Sequence, residues 1–469
     1  MLYLNLDRTH TRSYSKQIYT QIRKKIFSGI LKANDKLPST RDLSKNLCVA
    51  RNTVLNAYDM LVSEGLLYSF PGAGFFVGPE IFSENQPTPI TDLSSASLSD
   101  ISLSNDYINF DSGIPALDLF PKSKWNRATT MALHEAPISA LGYDEPQGRI
   151  EFREVLSNYL RRTRGIECMP EQIIVTSGTK QGLTLVAKCL LNAQSEVWIE
   201  NPTNENVKKI FSYHTDNIYS LEVDEEGIRP DLFPKDKKPS FIFVTPSHQF
   251  PMGGILSIKR RSELIQFARE KNCFILEDDY DSEFNYEGFP SSSLFEFDEE
   301  HVIYTGTFSK VMFPSLRLGY LVVPSSLVPQ LRELKRLADH HSNSIYQIAL
   351  MKFIENGDFE RHIRRMKREY KKRRDDLISM LHLKFGEMVK IYGSRAGMHI
   401  VAEFEGVIFT NECVNRLLKS GIYVIPVEQH SFIESNHLHQ IILGYAQLKY
   451  QDMIRGLDIL KTEIETQKT

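Results

Sequence analysis

Apolar residues recur once per helical turn near the start of the chain. One stripe holds four isoleucines: Ile18, Ile22, Ile26 and Ile30. This spacing predicts an amphipathic helix. In LPSTRDLSKNL, residues 37–47, Ser39 and Asp42 have the spacing of a capping box and predict a second helix. A third helix is predicted from Arg51 to a stop at Gly65.

The third predicted helix has its apolar residues on one face: Val54, Ala57, Tyr58 and Leu61. Two short apolar runs follow, in LLYSFPGAGFFV, and glycines separate them. This pattern is typical of a β-hairpin. Residues 1–78 are therefore predicted to form a helix-turn-helix with a hairpin wing.

Residues 79–107 have a different composition. They contain no Lys or Arg, seven Ser, three Pro and five acidic residues. Such a segment buries little apolar surface, so we expect a flexible linker. The remaining residues, 108–469, are predicted to form the main body of the protein.

In the body, runs that are apolar on both faces alternate with segments of helical length. The clearest strand candidates are EQIIVTSG, SEVWIENP, SFIFVTP, NCFILEDDY, HVIYTGTF and RLGYLVVP. Strands buried on both faces and separated by helices are typical of a parallel sheet. An α/β body with a mostly parallel central sheet is therefore expected.

The charge is distributed unevenly along the chain. Residues 1–78 hold eleven Lys or Arg and five Asp or Glu, a net charge of +6; the other residues then carry −9, because the whole chain carries −3. A basic head favours a polyanionic partner. A chance cluster of solvated charges is an equally good explanation of the charge alone.

Five scattered cysteines never form a CxxC pair, which favours neither a disulfide framework nor a zinc site. We expect them to be buried apolar residues in a reducing cytosol, and we expect no metal. There is neither a signal-peptide pattern nor a run of 18 apolar residues. A soluble, cytoplasmic protein without membrane contact is predicted.

The head motifs resemble those of the GntR family of winged-helix regulators. The resemblance rests on LPSTRDL, on RNTVLNAYDMLVSEG and on the glycine-rich wing that ends in FFV. It implies binding to double-stranded DNA. In such a head the start of the third helix enters the major groove, where Arg51, Asn52 and Thr53 meet bases or phosphate. The other expected DNA-contacting residues are Ser39 and Arg41 at phosphates, and Gly72 and Gly74 in the wing.

The body holds residues that suit a phosphorylated aldehyde. Lys310 ends an apolar strand, where its amine is able to form a Schiff base. Asp278 and Tyr280 share one strand face, and the turn TSGTKQG suits a phosphate at a helix N-terminus. Each feature alone is more often structural: a simple turn, a solvated strand edge or a surface lysine.

In their order and spacing these features resemble the fold type I aminotransferases, and more closely the MocR/GabR family, in which a GntR-type head precedes such a body. The resemblance covers essentially the whole chain. It rests on FPKSKWNR, YDEPQG, SGT, TPSHQFPMG, EDDYDSEF, TGTFSK and AGMH. It implies a smaller C-terminal α+β subdomain and a homodimer.

The resemblance also implies pyridoxal 5′-phosphate as cofactor. Lys310 would hold it as the internal aldimine, Asp278 would pair with the pyridine nitrogen, and Tyr280 would contact O3′. The phosphate would be bound by Gly178, Thr179, Thr307 and Arg317. His248 stands where related enzymes carry an asparagine near the ring, and Tyr143 would come from the partner subunit.

Several positions depart from the aminotransferase pattern. Asn204 stands where an aromatic residue usually stacks on the ring, and Ile442 replaces the arginine that clamps a substrate carboxylate. The stretches NPTNENVKK and IPVEQHSF also lack arginine. His399 and His430 are weak candidates for effector contacts, and His430 is more simply a structural or solvent-facing loop residue.

An intact head with a degraded clamp favours a transcriptional regulator whose body senses pyridoxal phosphate, an amine or an amino acid. The alternative is an active aminotransferase with an accessory DNA-binding domain. A regulator with a purely scaffolding body leaves Lys310, Asp278, Tyr280 and Arg317 without a purpose. We expect Lys310 to exchange its imine with an amine, without complete transamination.

Overall fold

The computed structural model describes residues 2–7, 13–70, 73–78, 107–287, 292–433 and 435–468. The chain forms two compact units, residues 1–102 and 103–469. They are called the head and the body below. Gly72 and the predicted linker up to residue 106 lie outside the described residues.

The head contains three helices and a two-stranded antiparallel hairpin within its described residues. Its elements are α1 (Tyr14–Phe27), α2 (Thr40–Leu47), α3 (Arg51–Ser63), β1 (Leu67–Phe70) and β2 (Gly74–Val77). The apolar faces of the helices form one core: Ile18, Ile22, Ile26, Leu43, Val54, Ala57, Tyr58 and Leu61. The predicted helix-turn-helix with a wing is confirmed.

The first apolar stripe is shorter than predicted. α1 ends at Phe27, and Gly29 has φ 72°, so the chain leaves the helix direction there. Ile30 is consequently 65% exposed, and its assignment to the stripe was wrong. Ser39 caps α2 as predicted, because its Oγ accepts a hydrogen bond from Asp42 N at 3.1 Å. The Asp42 carboxylate accepts a hydrogen bond from the Ser39 hydroxyl at 2.6 Å, where a capping box uses the backbone amide.

The body is built on a central sheet of eight strands among its described residues. Its strands are β4 (Ile173–Thr176), β5 (Val197–Asn201), β6 (Ile218–Asp224), β7 (Gly227–Ile228), β8 (Phe241–Val244), β9 (Phe274–Asp279), β10 (Val302–Thr307) and β11 (Gly319–Val322). Their order in the sheet is β4-β11-β10-β9-β8-β5-β6-β7.

All six predicted strands are present in this sheet. The sheet is mostly parallel, as expected, and β11 is the predicted strand that runs against its neighbours. β11 is antiparallel to both neighbours, whereas β10, β9, β8, β5 and β6 are mutually parallel. β6 was not predicted, because its residues are alternately half-buried and exposed near the sheet edge instead of uniformly apolar.

Helices cover the sheet and lead into the C-terminal part. They are α4 (Lys122–Glu135), α5 (Ile150–Arg164), α6 (Thr179–Leu190), α7 (Glu205–Ser212), α8 (Ile258–Lys271), α9 (Leu294–Phe297), α10 (Val328–Asp339), α11 (Ser344–Glu355), α12 (Asp358–Phe385), α13 (Asn411–Lys419) and α14 (Tyr450–Lys468).

A smaller antiparallel sheet lies in the C-terminal α+β part, as the resemblance implied. Its strands, in spatial order, are β12 (Val389–Tyr392), β13 (His399–Phe404), β16 (Gln440–Gly444) and β15 (Ile425–Pro426). Two short strands, β3 (Ile108–Asn109) and β14 (Ile422–Tyr423), pair in parallel and tie the start of the body to this part.

The cysteines are only partly as expected. Cys273 and Cys413 are buried, Cys168 and Cys189 are half-buried, and Cys48 is exposed. Cys48 ends α2 with φ 52°, so it belongs to the turn of the helix-turn-helix and not to the core. No helix in the described ranges is both long and apolar enough to cross a membrane.

Candidate functional site

The carboxyl ends of the parallel strands meet at one edge of the central sheet, which is where ligands bind in open α/β sheets. A cleft of about 440 Å³ opens there. It brings together residues that are far apart in the sequence. The predicted residues that line it are Gly178, Thr179, Asp278, Tyr280, Thr307, Lys310, Arg317, His399 and His430.

Lys310 follows β10 and points its amine into this cleft. Its Nζ donates a hydrogen bond to the Gly113 carbonyl at 2.8 Å. Burial lowers the pKa of the amine, while the carboxylate of Asp111 acts in the opposite direction. A buried lysine with a lowered pKa is a better nucleophile than an exposed one, because more of it is unprotonated at neutral pH.

Asp278 lies near the end of β9, and the alternation of the strand directs it toward the cleft. Its neighbour Asp279 points the other way and pairs with Arg164 at 2.5 Å. Oδ1 of Asp278 is buried without a hydrogen-bond partner, and burial raises the pKa of this carboxyl to about 8. A buried acid without a partner is costly unless a ligand supplies one.

Tyr280 lines the cleft directly after β9, but its hydroxyl is already engaged. It donates to the backbone carbonyl of His248 at 2.9 Å and lies 3.1 Å from His248 Nδ1. The same Nδ1 is 3.0 Å from Asp281. His248 is buried and does not itself line the cleft; it supports Tyr280 from behind.

Gly178, at the N-terminus of α6, forms one end of the cleft together with Arg317. Gly178 has φ 119°, and a Cβ there would lie 3.4 Å from the Arg317 guanidinium. Arg317 takes part in no ion pair among the described residues, and Thr307, Ser309 and Lys180 line the same cleft. A helix N-terminus with an unpaired guanidinium and hydroxyls is suited to bind a phosphate.

His399 and His430 lie against Phe250, with ring centroids 5.4 and 5.1 Å from that ring. His399 Nε2 donates to the Pro251 carbonyl at 2.9 Å. Burial lowers the pKa of His399 to about 3 and that of His430 to about 4. Both are therefore neutral at pH 7.

The solvent-facing interpretation of His430 was wrong. Both of its ring nitrogens are buried without a hydrogen-bond partner, and the ring lines the cleft. The loop that carries it packs inward because the backbone carbonyl of His430 accepts a hydrogen bond from Thr203 N at 3.0 Å.

Two positions that depart from the aminotransferase pattern have local structural reasons. The Asn204 side chain accepts a hydrogen bond from Asn206 N at 2.9 Å and so caps α7. Ile442 is fully buried in an apolar cluster with Val401 and Val427. The same cluster includes Phe250 and Ile425, which line the cleft, so its wall is apolar there.

Tyr143 does not line the cleft. Its side chain is 84% exposed and its ring stacks on His340 at 4.8 Å. Its neighbours Leu133, Ile138 and Leu141 are also exposed.

Other cleft residues were not found in the sequence: Asp111, Thr203, Glu205, Lys180, Ser309 and Phe250. Lys180 and Ser309 adjoin predicted residues, and that adjacency was a usable signal. Asp111 and Thr203 follow short strands or turns that have no distinctive pattern, so only the fold reveals them.

In the head, the predicted DNA-contacting residues lie at the starts of α2 and α3. Arg41, Arg51 and Asn52 are exposed, and Thr53 is half-buried. Nε of Arg51 donates to Thr40 Oγ1 at 3.3 Å, which orients the guanidinium. The Ser39 hydroxyl is used by the cap of α2, and Gly74 has φ 103° in the wing turn.

A winged-helix head and an aminotransferase-like body define the class of protein. Residues 14–77 match the gntR family of bacterial regulatory proteins, and residues 105–438 match aminotransferase class I and II. The kynurenine aminotransferase of Pyrococcus horikoshii, solved with PMP, superposes with a TM-score of 0.72 at 25% identity, covering 78% of this chain and 92% of that chain.

Two relatives match over nearly their whole length. The uncharacterised HTH-type transcriptional regulator YhdI of Bacillus subtilis is 32% identical, covering 97% of both chains. The probable rhizopine catabolism regulatory protein MocR of Rhizobium meliloti is 31% identical, covering 98% of this chain and 95% of its own. The chain belongs to the MocR/GabR family of GntR-type transcriptional regulators.

Proposed function

We propose that this regulator binds pyridoxal phosphate in the body cleft, senses a primary amine there, and changes its binding to operator DNA in response. One observation carries the proposal. Lys310, the unpaired acid of Asp278 and the unpaired cation of Arg317 meet in a single cleft, although they come from three different segments.

The cleft fits this cofactor at three points. The buried Oδ1 of Asp278 needs a donor, which a protonated pyridine nitrogen supplies. The helix N-terminus at Gly178 and the guanidinium of Arg317 suit the phosphate, and Lys310 suits the aldehyde. Pyridoxal phosphate, when bound, supplies a reactive carbonyl and an electron-withdrawing ring.

The surrounding residues hold the reactive groups in place. The Gly113 carbonyl orients the Lys310 amine, and burial lowers the pKa of that amine, which favours its unprotonated form. The Tyr280 hydroxyl contacts both the backbone carbonyl and Nδ1 of His248. These two contacts hold the phenol in one orientation toward the cleft. These residues bind and orient, and they do not replace the missing carboxylate clamp.

DNA binding is assigned to the head, with Arg51 at bases and Arg41 at phosphates. Helix-turn-helix dimers read two half-sites about one helical turn apart. We propose a homodimer that uses the exposed apolar residues of the body, which include Leu133, Ile138, Leu141 and Tyr143. Several large apolar side chains exposed within a short stretch of chain favour an interface there.

A fluorescence titration of the full chain with operator and random duplexes, with and without pyridoxal phosphate and amines, tests the proposal. The operator is first selected from random duplexes by the protein itself. We expect a change of operator affinity on adding cofactor and amine together. An affinity that never responds to any combination of the two would contradict the sensing role.

Two variants separate the contacts of the head. Losing a bidentate base contact costs about 1–3 kcal/mol on the specific site only, so Arg51→Ala is expected to lose specificity. Arg41→Ala is expected to weaken all sequences alike and to reduce the salt slope by about one. Equal losses on operator and random DNA for Arg51→Ala would contradict base recognition.

A further inference from the structure

We infer that the effector is a primary amine that carries a second cationic group and no carboxylate, an α,ω-diamine. This inference rests on the proposed function, since it concerns the same cleft. It assigns a subsite for the far end of the effector, which we call the distal subsite. The distal subsite consists of Asp111, Thr203, Glu205 and His430.

The charged residues of the cleft are the first observation that favours a diamine. Among the described residues that line it, the cations are Lys180, Lys310 and Arg317. Lys180 and Arg317 lie at the helix N-terminus and Lys310 carries the reactive amine, so none remains for the far end of an effector. The two histidines on the opposite wall are neutral, because burial lowers their pKa values.

The remaining charged groups of the cleft wall are acidic. A Cβ placed on Gly113 would lie 3.1 Å from Lys310 Nζ and 3.2 Å from Asp111 Oδ1, so Asp111 forms the end of the distal subsite that is nearest to the reactive amine. Glu205 and Asp111 both act to raise the pKa of His430, although burial dominates. His430 is therefore within electrostatic reach of both carboxylates.

Two polar side chains of the distal subsite have no hydrogen-bond partner in the part of the chain that the structure describes. Oγ1 of Thr203 is buried without a hydrogen bond, and Thr203 is fully buried at the cleft wall. Both ring nitrogens of His430 are also buried without a hydrogen bond. Because an unpaired buried polar group costs free energy, these atoms indicate that a ligand completes their hydrogen bonds.

A carboxylate is disfavoured in this surrounding. The position of the usual clamp is held by Ile442, which packs with Val401 and Val427 behind an apolar wall. A carboxylate beside Asp111 or Glu205 would face like charge. The nearby cations are already engaged, because Lys209 pairs with Glu205 at the surface and Lys310 carries the reactive amine. A distal ammonium, in contrast, donates up to three hydrogen bonds and is attracted by both acids.

The test compares amines that differ only in the distal group. The full-length protein, loaded with pyridoxal phosphate, is titrated with cadaverine, aminopentanol, pentylamine and aminovalerate, and the absorbance change gives each affinity. The same four distal groups on three- and four-carbon chains cover shorter spans. We expect cadaverine or a shorter diamine to bind about tenfold or more tightly than the alkylamine of its length, because a charged hydrogen bond contributes about 1.5–3 kcal/mol.

Variants connect this preference to the distal subsite. Glu205→Gln is expected to reduce the diamine preference, while the affinity for the plain alkylamine changes little. Asp111→Asn alters the surroundings of Lys310 as well, so for this variant the expected result is a lower ratio of diamine to alkylamine affinity. Glu222→Gln, an exposed acid of β6 outside the cleft, is the matched control and should keep the preference. The fraction of Lys310 trapped by borohydride is measured for each variant, so that only cofactor-loaded molecules are compared.

The possible results distinguish an error in the proposed function from an error in the diamine inference. Failure of the wild type to bind pyridoxal phosphate would refute the proposed function itself. A loaded protein that binds the amino acid or the amino alcohol as tightly as the diamine, or that shows no preference, would refute only the diamine inference. Thr203→Val should lower the affinity for the diamine and for the amino alcohol, since both lose a hydrogen-bond partner.

Discussion

The two sides of the body cleft differ in which polar groups the protein leaves without a partner. On the cofactor side, the amine of Lys310 and the hydroxyl of Tyr280 have hydrogen-bond partners, and the groups left open are charged: the buried Oδ1 of Asp278 and the guanidinium of Arg317. On the effector side, the groups left open are the neutral side chains of Thr203 and His430, and apolar residues replace the usual carboxylate clamp. The cofactor side therefore retains the enzyme pattern, whereas the effector side has lost it.

This difference is consistent with the proposed sensing function. Binding an amine at a reactive lysine needs access and an unprotonated amine, and the cofactor side provides both. Turnover needs in addition a substrate held rigidly at the right angle, and an error near 1 Å costs about a hundredfold in rate. Under the proposed function, loss of the clamp on one side is expected to remove turnover without removing recognition.

The largest effect is expected at the covalent anchor. Lys310→Ala should abolish the borohydride-trapped adduct with pyridoxal phosphate, because the Lys310 amine is the one that we assign to the bond, whereas Lys180 lies at the helix N-terminus assigned to the phosphate. Mass spectrometry of peptides locates the adduct. Lys180→Ala, a second lysine of the same cleft, is the control and should keep the adduct on Lys310. An adduct on another lysine would show that the cofactor side is wrongly assigned.

The second effect is the absence of turnover on the effector side. Because Ile442 gives no clamp and Asn204 caps α7 instead of stacking, keto acid formation from a panel of amino acids should stay far below the rate of about 1 s⁻¹ found in slow enzymes. A coupled assay for keto acids measures it. Sustained production at or above that rate would favour the aminotransferase alternative.

The third effect concerns the unpaired acid. Asp278→Asn should weaken pyridoxal phosphate binding by about 10- to 100-fold, because it removes a charged hydrogen bond. Fluorescence titration measures the loss. An unchanged affinity would show that Asp278 does not face the ring nitrogen.

The same variant should stabilise the cofactor-free protein. Folding raises the pKa of Asp278 from 3.8 to about 8, so between these values the folded state keeps a proton that the unfolded state has released. The free energy of unfolding therefore falls as pH rises through this window. Thermal unfolding should show the Asn variant above wild type, with a gain that grows from about pH 5 to about pH 8.

The smallest effect is expected from an unpaired hydroxyl on the effector side. Thr203→Val keeps the shape of the side chain and removes a buried group without a partner, so the cofactor-free protein should be more stable by about 1 kcal/mol. Chemical denaturation measures the change. A loss of stability would mean that Thr203 Oγ1 is hydrogen-bonded in solution. The hydroxyl of the effector side would then be satisfied within the protein, as the Tyr280 hydroxyl is on the cofactor side.

Local patterns predicted much of the fold. The N-cap at Ser39 and the apolar face of Val54 to Leu61 appear in the head as expected. The six strand candidates also appear, since short apolar runs rich in β-branched and aromatic residues favour strands. The antiparallel direction of β11 was not predictable, because strand direction depends on which neighbour the chain meets and not on its own residues.

The chemistry of Lys310, Asp278 and Arg317 was visible in the sequence, because each stands in a contiguous motif at the end of a strand or turn. The distal subsite was not. Asp111, Thr203 and His430 come from three separate loops, and only the packing of β3, β5 and β16 with their neighbours brings these loops to one cleft. A sequence determines residue types and local periodicity, whereas burial and missing partners depend on groups that are distant along the chain and close only after folding.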